Sequence, residues 1–331
     1  MKRCVLTAPA KINLYLEIIG DRPDGFHELA MVMQSVALAD RLEIVTRASM
    51  AQFTQPIQIQ CTHPEVPTDA SNLAHRAASL MLDRFHDRLA PLGMIEITIE
   101  KHLPIAAGLA GGSSNAAAVL VGLNLLANLG LTQAELCDLA AEIGSDIPFC
   151  VVGGTAIATG RGEQVTPISS PQGLWVVLGK SHHLGVSTPW AYKTFRQQFS
   201  DRYISDPAGL QQRHDRVHSG PMVEAITHSD HAAIGQLLYN DLERVVLPMH
   251  PSVAALRQAL AAGTDGTGAG VLGAMMSGSG PTVFALLETE AQAIALRDRV
   301  AETMDDPDLD LWVTQCADRG ITVLDTPNLD L

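Results

Sequence analysis

A segment rich in glycine and serine, PIAAGLAGGSSNAAA from Pro104 to Ala118, contains the residue types best suited to binding phosphate. Its glycines leave the backbone free of side chains, so that backbone N–H groups can approach an anion closely. The segment then begins a helix, and the unpaired N–H groups and dipole of a helix start favour a phosphate group. An ordinary turn with Ser113 or Ser114 as helix cap is the alternative. Three glycines and two serines exceed what such a turn needs, so we interpret the segment as a phosphate loop.

A lysine and an aspartate far apart in the sequence have the side chains that phosphoryl transfer requires. Lys11 lies in the apolar stretch VLTAPAKINLYLEIIG, and Asp146 lies in the turn GSDIPF. Taken singly, the lysine fits an exposed strand position and the aspartate fits a turn or helix cap. Taken together, the carboxylate can accept a hydroxyl proton while the ammonium stabilises the developing negative charge. The pair therefore suggests a kinase.

A second compact loop, MMSGSGPT (Met275–Thr282), leads into a predicted strand. By itself it is typical of a turn. Combined with the first loop, it indicates a cleft that binds a polyphosphate from two sides. The twelve histidines show no spacing typical of metal ligands, so any metal ligands stay unassigned.

The composition indicates which class of protein contains these residues. The 331 residues suffice for two domains, and 22 basic against 36 acidic residues give a net charge of −14, which argues against binding nucleic acid. Five scattered cysteines without a CxxC pair are typical of a reducing compartment. Since no apolar run reaches the ~18 residues of a membrane span, we expect a cytoplasmic protein that binds no membrane. The sequence does not decide between a monomer and a homodimer.

Hydrophobic periodicity predicts mixed helices and strands. In the first half we expect a strand interrupted at Pro9, a second strand over Leu38–Thr46 and a helix over Asn72–Arg88 capped by Ser71. Alternating isoleucines predict a strand in IEITIEKHLP, and a nearly all-apolar stretch from Asn115 to about Leu129 predicts a buried central helix.

The second half of the sequence has a different texture. LWVVLGKS predicts a strand and GVSTPWAYKTF begins a helix, whereas the polar residues 200–220 have no periodicity and suggest an exposed insertion. A last strand is expected near Trp312–Cys316. These elements predict an α+β protein with an N-terminal domain over 1–160 and a C-terminal domain over 161–331.

Three segments, PAKINLYLEI, LPIAAGLAGGSSNAAA and MMSGSGPTVFAL, resemble the signature motifs of the GHMP kinases, the superfamily of galactokinase, homoserine kinase, mevalonate kinase and phosphomevalonate kinase. RPDGFHEL and IGSDIPF further resemble the branch that phosphorylates a cytidine diphosphate-linked methylerythritol in the non-mevalonate route to isoprenoid precursors. The resemblance extends from Pro9 to about Leu287. It implies a two-domain α+β fold whose N-terminal domain is similar to the second domain of ribosomal protein S5. It also implies an active site in the interdomain cleft, with ATP and Mg²⁺ as cofactors.

The resemblance assigns roles to individual residues around ATP. Lys11 and Asp146 would be catalytic, and Asn72 and Lys101 would lie near the base or ribose of ATP. The ATP phosphate loop would comprise Pro104, Ile105, Ala106, Ala107, Gly108, Leu109, Ala110, Gly111, Gly112, Ser113 and Ser114.

The substrate residues follow from the same resemblance. Asn13 would contact the erythritol part, and Phe26 and His27 would bind the cytidine by stacking and by hydrogen bonding to the cytosine edge. Many relatives have tyrosine in place of Phe26, so a hydrogen bond from that hydroxyl is missing here. Tyr192 would face the other side of the cytosine, on a looser alignment.

Two other functions stay open on sequence alone. One is a different GHMP kinase, such as a homoserine or mevalonate kinase, against which the DGFH segment argues because those substrates contain no base to stack. The other is a nucleotide-sensing regulator that has lost catalysis, against which the presence of both Lys11 and Asp146 argues.

Overall fold

The computed structural model describes residues 1–47, 56–262 and 270–325. The strands in these ranges are β1 (Lys2–Asp21), β2 (His27–Arg47), β3 (Ile57–Cys61), β4 (Met94–Glu100), β5 (Thr155–Gly160), β6 (Gln164–Ile168), β7 (Trp175–Ser181), β8 (Tyr239–Asn240), β9 (Val271–Met276), β10 (Val283–Leu287), β11 (Leu309–Gln315) and β12 (Thr322–Asp325). The helices are α1 (Leu73–Arg84), α2 (His86–Leu89), α3 (Gly111–Leu126), α4 (Gln133–Ile143), α5 (Ile147–Val152), α6 (Thr188–Phe199), α7 (Pro207–His218), α8 (Pro221–Thr227), α9 (His231–Gln236), α10 (Glu243–Met249), α11 (Pro251–Ala261) and α12 (Glu290–Met304). Within the same ranges, none of the helices combines the length and apolar character needed to cross a bilayer.

The strands form two sheets in the described part of the chain. The first has the order β12-β1-β2-β4-β3, with β5 between β2 and β6, and β8 beside β1. The second has the order β11-β7-β10-β9 and is antiparallel throughout. Strands β6, β8 and β12 of the first sheet all follow residue 160, and the predicted division into 1–160 and 161–331 stays a prediction.

The long antiparallel pair of β1 and β2 positions Lys11. The expected interruption at Pro9 is wrong: β1 continues through it, and the register with β2 shifts between Pro9 and Ala10. A bulge tolerates a proline, which cannot donate to the sheet. Just beyond this shift, the Lys11 backbone N–H donates to the carbonyl of Leu109 at 3.1 Å. The strand that carries the lysine is thereby hydrogen-bonded to the glycine-rich loop.

The apolar helix α3 is buried in the core, as its sequence predicts, but it begins at Gly111 instead of Asn115 and ends at Leu126 instead of about Leu129. It extends over Gly111–Leu126 and buries residues on nearly all its sides, Ala116 to Leu120 among them. It packs against α1 and β1. Because its first turn follows the glycine-rich loop directly, a rigid core element fixes the end of that loop.

Three local predictions are wrong in detail. The cap of α1 is Asn72, whose side-chain oxygen accepts from the Ala74 N–H at 2.9 Å, instead of Ser71, and the helix ends at Arg84 instead of Arg88. The strand predicted near Trp312 exists as β11, but it is not the last strand. The chain returns to the first sheet as β12, which was not predicted because it is too short to show periodicity.

The segment expected as an exposed insertion, residues 200–220, contains α7. Asp206 caps this helix by accepting from the Gly209 N–H at 2.7 Å. Polar contacts attach it to the first sheet: Arg213 donates to Glu17, and His214 Nε2 lies 3.0 Å from Glu28 Oε1. Val217 is the one buried residue of this helix, so a search for hydrophobic periodicity misses it.

Candidate active site

A cleft of about 880 Å³ collects the residues that the sequence singles out. All the predicted site residues line it except Ser114, which is fully buried. Its walls combine the segment 104–113 with Thr188 to Arg196 of α6 and with Gly278 and Ser279 of the second glycine-rich loop. The volume is near the upper end of the range for small-molecule sites, which leaves room for two ligands.

The glycine-rich loop has a backbone conformation typical of anion sites. Three alternate residues are left-handed, Ala106 (φ 48°), Gly108 (φ 73°) and Ala110 (φ 56°). Alternation of this kind turns successive N–H groups toward one concavity. Left-handed alanines are sterically unfavourable, and such strain concentrates at functional sites.

The start of α3 is also open to a ligand. Ala110 is the residue before the helix, and no side chain caps the first turn. The serine cap considered from sequence is therefore not formed. The N–H groups of a first turn need a partner from outside the helix, and Gly111, Gly112 and Ser113 all line the cleft.

The second glycine-rich loop packs directly on the first. The Ser277 hydroxyl donates to the Gly108 carbonyl at 3.3 Å, and a Cβ on Gly108 would lie 2.5 Å from the Ser277 carbonyl oxygen. Buried Asn240 supports the second loop, since its amide donates to the carbonyls of Met276 and Gly278, both at 2.8 Å. The expected meeting of the two loops is confirmed.

Lys11 lies between two polar groups in the same cleft. Its ammonium donates to Asn13 Oδ1 at 2.7 Å and lies 3.7 Å from Asp146 Oδ2. The lysine side chain is 6% exposed, whereas that of Asp146 is 35% exposed. The aspartate precedes α5 but makes no capping hydrogen bond to it. Neither ordinary explanation holds, because the lysine is buried and the aspartate carboxylate faces the cleft.

The two residues expected near the base or ribose of ATP line the cleft but already have protein partners. Asn72 caps α1 and also donates to the Pro67 carbonyl at 2.6 Å. The Lys101 ammonium forms an ion pair with Asp40, a carboxylate that is fully buried and lies behind the cleft wall. The sequence offers no local signal for this partner, which precedes the lysine by 61 residues.

Phe26, His27 and Tyr192 line a part of the cleft that we call its aromatic end. Phe26, at the tip of the β1–β2 hairpin, is 48% exposed, and the Arg161 guanidinium lies 5.2 Å from its ring centre. The rings of His27 and Tyr192 lie 5.2 Å apart with an angle of 36° between their planes. An exposed ring in the same cleft as a tilted histidine–tyrosine pair is suited to binding a flat base.

His27 is held in its neutral form. It is 7% exposed, and its Nε2 is buried and has no hydrogen-bond partner within the described residues. Burial lowers the pKa of His27 to about 4, with a further lowering from the Arg196 charge and an opposing effect of Asp21. A neutral imidazole can either donate to or accept from a base edge, so the unpaired nitrogen fits that role.

Sequence reasoning missed three basic residues that line the cleft, Arg161, Lys193 and Arg196. Arg196 donates to Asp21 at 2.7 Å and to the Gly25 carbonyl at 3.0 Å, and so supports the hairpin that carries Phe26. The glycine pair in TGRGE around Arg161, and the position of Lys193 directly after Tyr192, are the only local signals for the other two.

Comparison with known proteins agrees with this geometry. Residues 72–154 match the GHMP kinases N terminal domain, and residues 222–306 match GHMP kinases C terminal. A relative from Nostoc punctiforme, named 4-diphosphocytidyl-2-C-methyl-D-erythritol kinase, is 56% identical over 98% of this chain and 99% of its own.

Solved structures give the same result for the fold. A 4-(cytidine 5'-diphospho)-2C-methyl-D-erythritol kinase superposes with a TM-score of 0.70 at 29% identity, covering 95% of this chain and 99% of its own. Homoserine kinase from Cytophaga hutchinsonii superposes with a TM-score of 0.71 at 20% identity, covering 97% of each chain. The latter likeness concerns the fold alone. The predicted two-domain α+β architecture is confirmed.

Proposed function

The chain belongs to the GHMP kinases, and from this premise we propose that it transfers a phosphoryl group from ATP to the 2-hydroxyl of 4-diphosphocytidyl-2-C-methyl-D-erythritol. This reaction belongs to the non-mevalonate pathway of isoprenoid precursor biosynthesis. The observation that carries the proposal is that one cleft is lined by the glycine-rich loop, by the aromatic residues Phe26, His27 and Tyr192, and by Lys11 and Asp146. Relatives that align with 98% of this chain are named 4-diphosphocytidyl-2-C-methyl-D-erythritol kinase.

In the proposed mechanism, the loop 104–113 and the start of α3 bind the phosphates of ATP. Lys11 stabilises the transferring group, and its contact with Asp146 at 3.7 Å orients the carboxylate. Asp146 accepts the proton of the 2-hydroxyl, or orients that hydroxyl if transfer is loose enough to need little proton abstraction. Asn13, which accepts from the Lys11 ammonium, is suited to contact the erythritol part.

The aromatic end would bind the cytidine. Phe26 would stack on the cytosine, His27 would form a hydrogen bond with its edge, and Tyr192 would contact it from the side of His27. Binding a remote base positions the reacting hydroxyl and makes the transfer effectively intramolecular. Arg161 and Lys193 line the same cleft, and their charges suit the diphosphate between base and alcohol.

The oxygen donors of the cleft fit a magnesium ion bound largely through ATP. Within the described residues, no cluster of three or more histidine, cysteine, aspartate or glutamate side chains is arranged to hold a metal. Mg²⁺ at kinase sites takes one or two protein oxygens together with substrate phosphates. The Ser113 hydroxyl, which lines the cleft beside the segment proposed to bind the phosphates, would hold it together with the phosphate oxygens of ATP. When bound, the ion would neutralise negative charge on the phosphates.

We further propose that the protein acts in the cytoplasm as a monomer or homodimer, without nucleic acid or membrane. All five cysteines are free, which suits a reducing compartment.

The test is coupled ADP release with ATP and Mg²⁺, in which each alcohol is offered separately. The panel comprises 4-diphosphocytidyl-2-C-methyl-D-erythritol, the methylerythritol phosphate that lacks cytidine, mevalonate and homoserine. We expect turnover with the first alone. Turnover with mevalonate or homoserine would keep the kinase and refute the cytidine pocket. Absence of turnover with all four, while ATP still binds, would instead support a nucleotide-sensing regulator.

A further inference from the structure

Asp40 is a buried carboxylate that no motif singles out. It lies near the middle of β2, is 0% exposed and does not line the cleft. Burying a charge is unfavourable unless it is paired and hydrogen-bonded. Asp40 meets both conditions, with four donors directed at its two oxygens.

All four donors belong to residues that flank the glycine-rich loop. Asp40 Oδ1 accepts from the backbone N–H groups of His102 and Leu103, both at 2.8 Å. These residues immediately precede the loop. Asp40 Oδ2 accepts from the Lys101 ammonium and from Asn115 Nδ2, the latter at 2.9 Å. Asn115 lies in the first turns of α3, directly after the loop.

One carboxylate therefore joins both ends of the segment 104–113. The separation of these ends sets the curvature of the loop between them, and with it the directions of its N–H groups. Lys101 adds a further constraint, because its ammonium would lie 2.9 Å from a Cβ on Gly111. Its ion pair with Asp40 holds the ammonium at the start of α3.

We propose that Asp40 is a positioning residue for the ATP phosphate loop, and that Lys101 acts on ATP through Asp40 instead of through the base or ribose. This inference rests on the proposed function, since it assumes that the loop binds ATP. Asp40 touches no ligand: it fixes the loop in its binding conformation before ATP arrives. Such preorganisation favours binding because the ligand does not have to order the loop.

The main test compares Asp40→Asn with Asp241→Asn by ATP titration calorimetry and steady-state kinetics. Asp241 is a matched control, because it is 5% exposed and accepts from the Ile18 N–H at 2.9 Å and the Tyr239 hydroxyl at 2.6 Å, neither of which belongs to the segment 101–115. We expect D40N to raise the Kd and KM for ATP by about tenfold to a hundredfold. Its KM for the alcohol at saturating ATP should change less than about threefold. D241N should lower stability without a selective effect on ATP.

A double-mutant cycle separates the two possible roles of Lys101. If Lys101 acts through Asp40, then Lys101→Met should weaken ATP binding in the wild type and add little in the D40N background. Additive effects would mean direct contact with ATP and would refute the second half of the proposal. Should D40N fail to fold, Asn115→Ala removes only the helix-side bond and should raise the Kd for ATP by about threefold.

Two further outcomes would overturn the proposal. One is a folded D40N protein with wild-type affinity for ATP. The other is an equal loss of affinity for ATP and for the alcohol, as a general structural defect would give. Failure of the proposed function itself is distinguishable, since the wild-type protein would then show no turnover with the cytidine substrate.

Discussion

Replacing Gly108 with alanine tests how closely the two glycine-rich loops pack. Gly108 has φ +73°, and a Cβ there would lie 2.5 Å from the Ser277 carbonyl oxygen and 2.9 Å from that of Gly280. The change therefore has two costs, one from the left-handed backbone and one from contact with the second loop. Replacing Gly130 with alanine isolates the backbone cost, because its φ is also left-handed, at +72°, but nothing lies within 4 Å of the position of its Cβ.

The structure gives a magnitude for each cost. A left-handed alanine costs about 1–2 kcal/mol of unfolding free energy, and both variants share this loss. Overpacking adds about 1–3 kcal/mol in Gly108→Ala alone. Van der Waals contact between a Cβ and another heavy atom begins near 3.4 Å, whereas the Ser277 carbonyl oxygen would lie 2.5 Å from the new Cβ. The oxygen must therefore move away by 0.9 Å, the difference between these two distances. A displacement of about 1 Å at a catalytic site can lower the rate by about a hundredfold.

The assay measures urea unfolding and coupled ADP release on both variants. We expect Gly130→Ala to lose stability while keeping wild-type kcat/KM, and Gly108→Ala to lose more stability and about a hundredfold in kcat/KM. Equal stability and equal activity in the two variants would refute the reasoning. It would mean that the loops do not approach each other as closely as described.

Three further predictions concern the proposed chemistry. Asp146→Asn should lower kcat by about 10²–10⁴-fold with little change in the Kd for ATP, measured by single-turnover kinetics; wild-type turnover would rule out the aspartate as base. Phe26→Ala should raise the KM for the cytidine substrate by about fivefold to a hundredfold, since base stacking contributes about 1–3 kcal/mol. Its KM for ATP should be unchanged, and Phe26→Tyr, which keeps the ring, should restore binding; equal effects on both substrates would contradict stacking. Because the pKa of His27 is lowered to about 4, this residue stays neutral between pH 5.5 and 7.5. The His27→Gln protein should therefore show the same pH dependence of kcat/KM as the wild type in that range. An inflection near pH 6.5 present only in the wild type would refute this. His27 takes up its proton near pH 6.5 in the unfolded chain but only near pH 4 in the folded protein. This residue therefore lowers the free energy of unfolding as the pH falls from 6.5 to 4. The His27→Gln protein should lose less stability over this pH range than the wild type.

The sequence predicts best those parts of the site that are contiguous in the chain. The loop 104–113 is recognisable because its glycines and the helix that follows act together over a short span. Lys11 and Asp146 stand out because a charged residue in an apolar setting is unusual in either segment. Their meeting at 3.7 Å depends on the fold, and only the resemblance to a family predicts it.

What the sequence could not predict depends on distant contacts. Asp40 precedes Lys101 by 61 residues and Asn115 by 75, and nothing in the stretch ALADRLEI marks it apart from other acidic residues. Helix α7 was missed for a related reason. Arg213 and His214 attach it to carboxylates on β1 and β2, and such contacts leave no periodic pattern in the sequence.

The distribution of charge explains how a protein of net charge −14 can bind two polyphosphates in one cleft. Near the phosphate loop, the ammonium of Lys101 is already paired with Asp40, so backbone N–H groups, the start of α3 and Lys11 would provide most of the attraction for ATP. At the aromatic end, Arg161 and Lys193 form no ion pair within the described residues, and they remain available to a diphosphate. In the proposed function, fixed dipoles and Lys11 would hold the nucleotide that donates the phosphoryl group, whereas Arg161 and Lys193 would hold the substrate that receives it. An acidic surface is compatible with both, because each attraction acts only within the cleft.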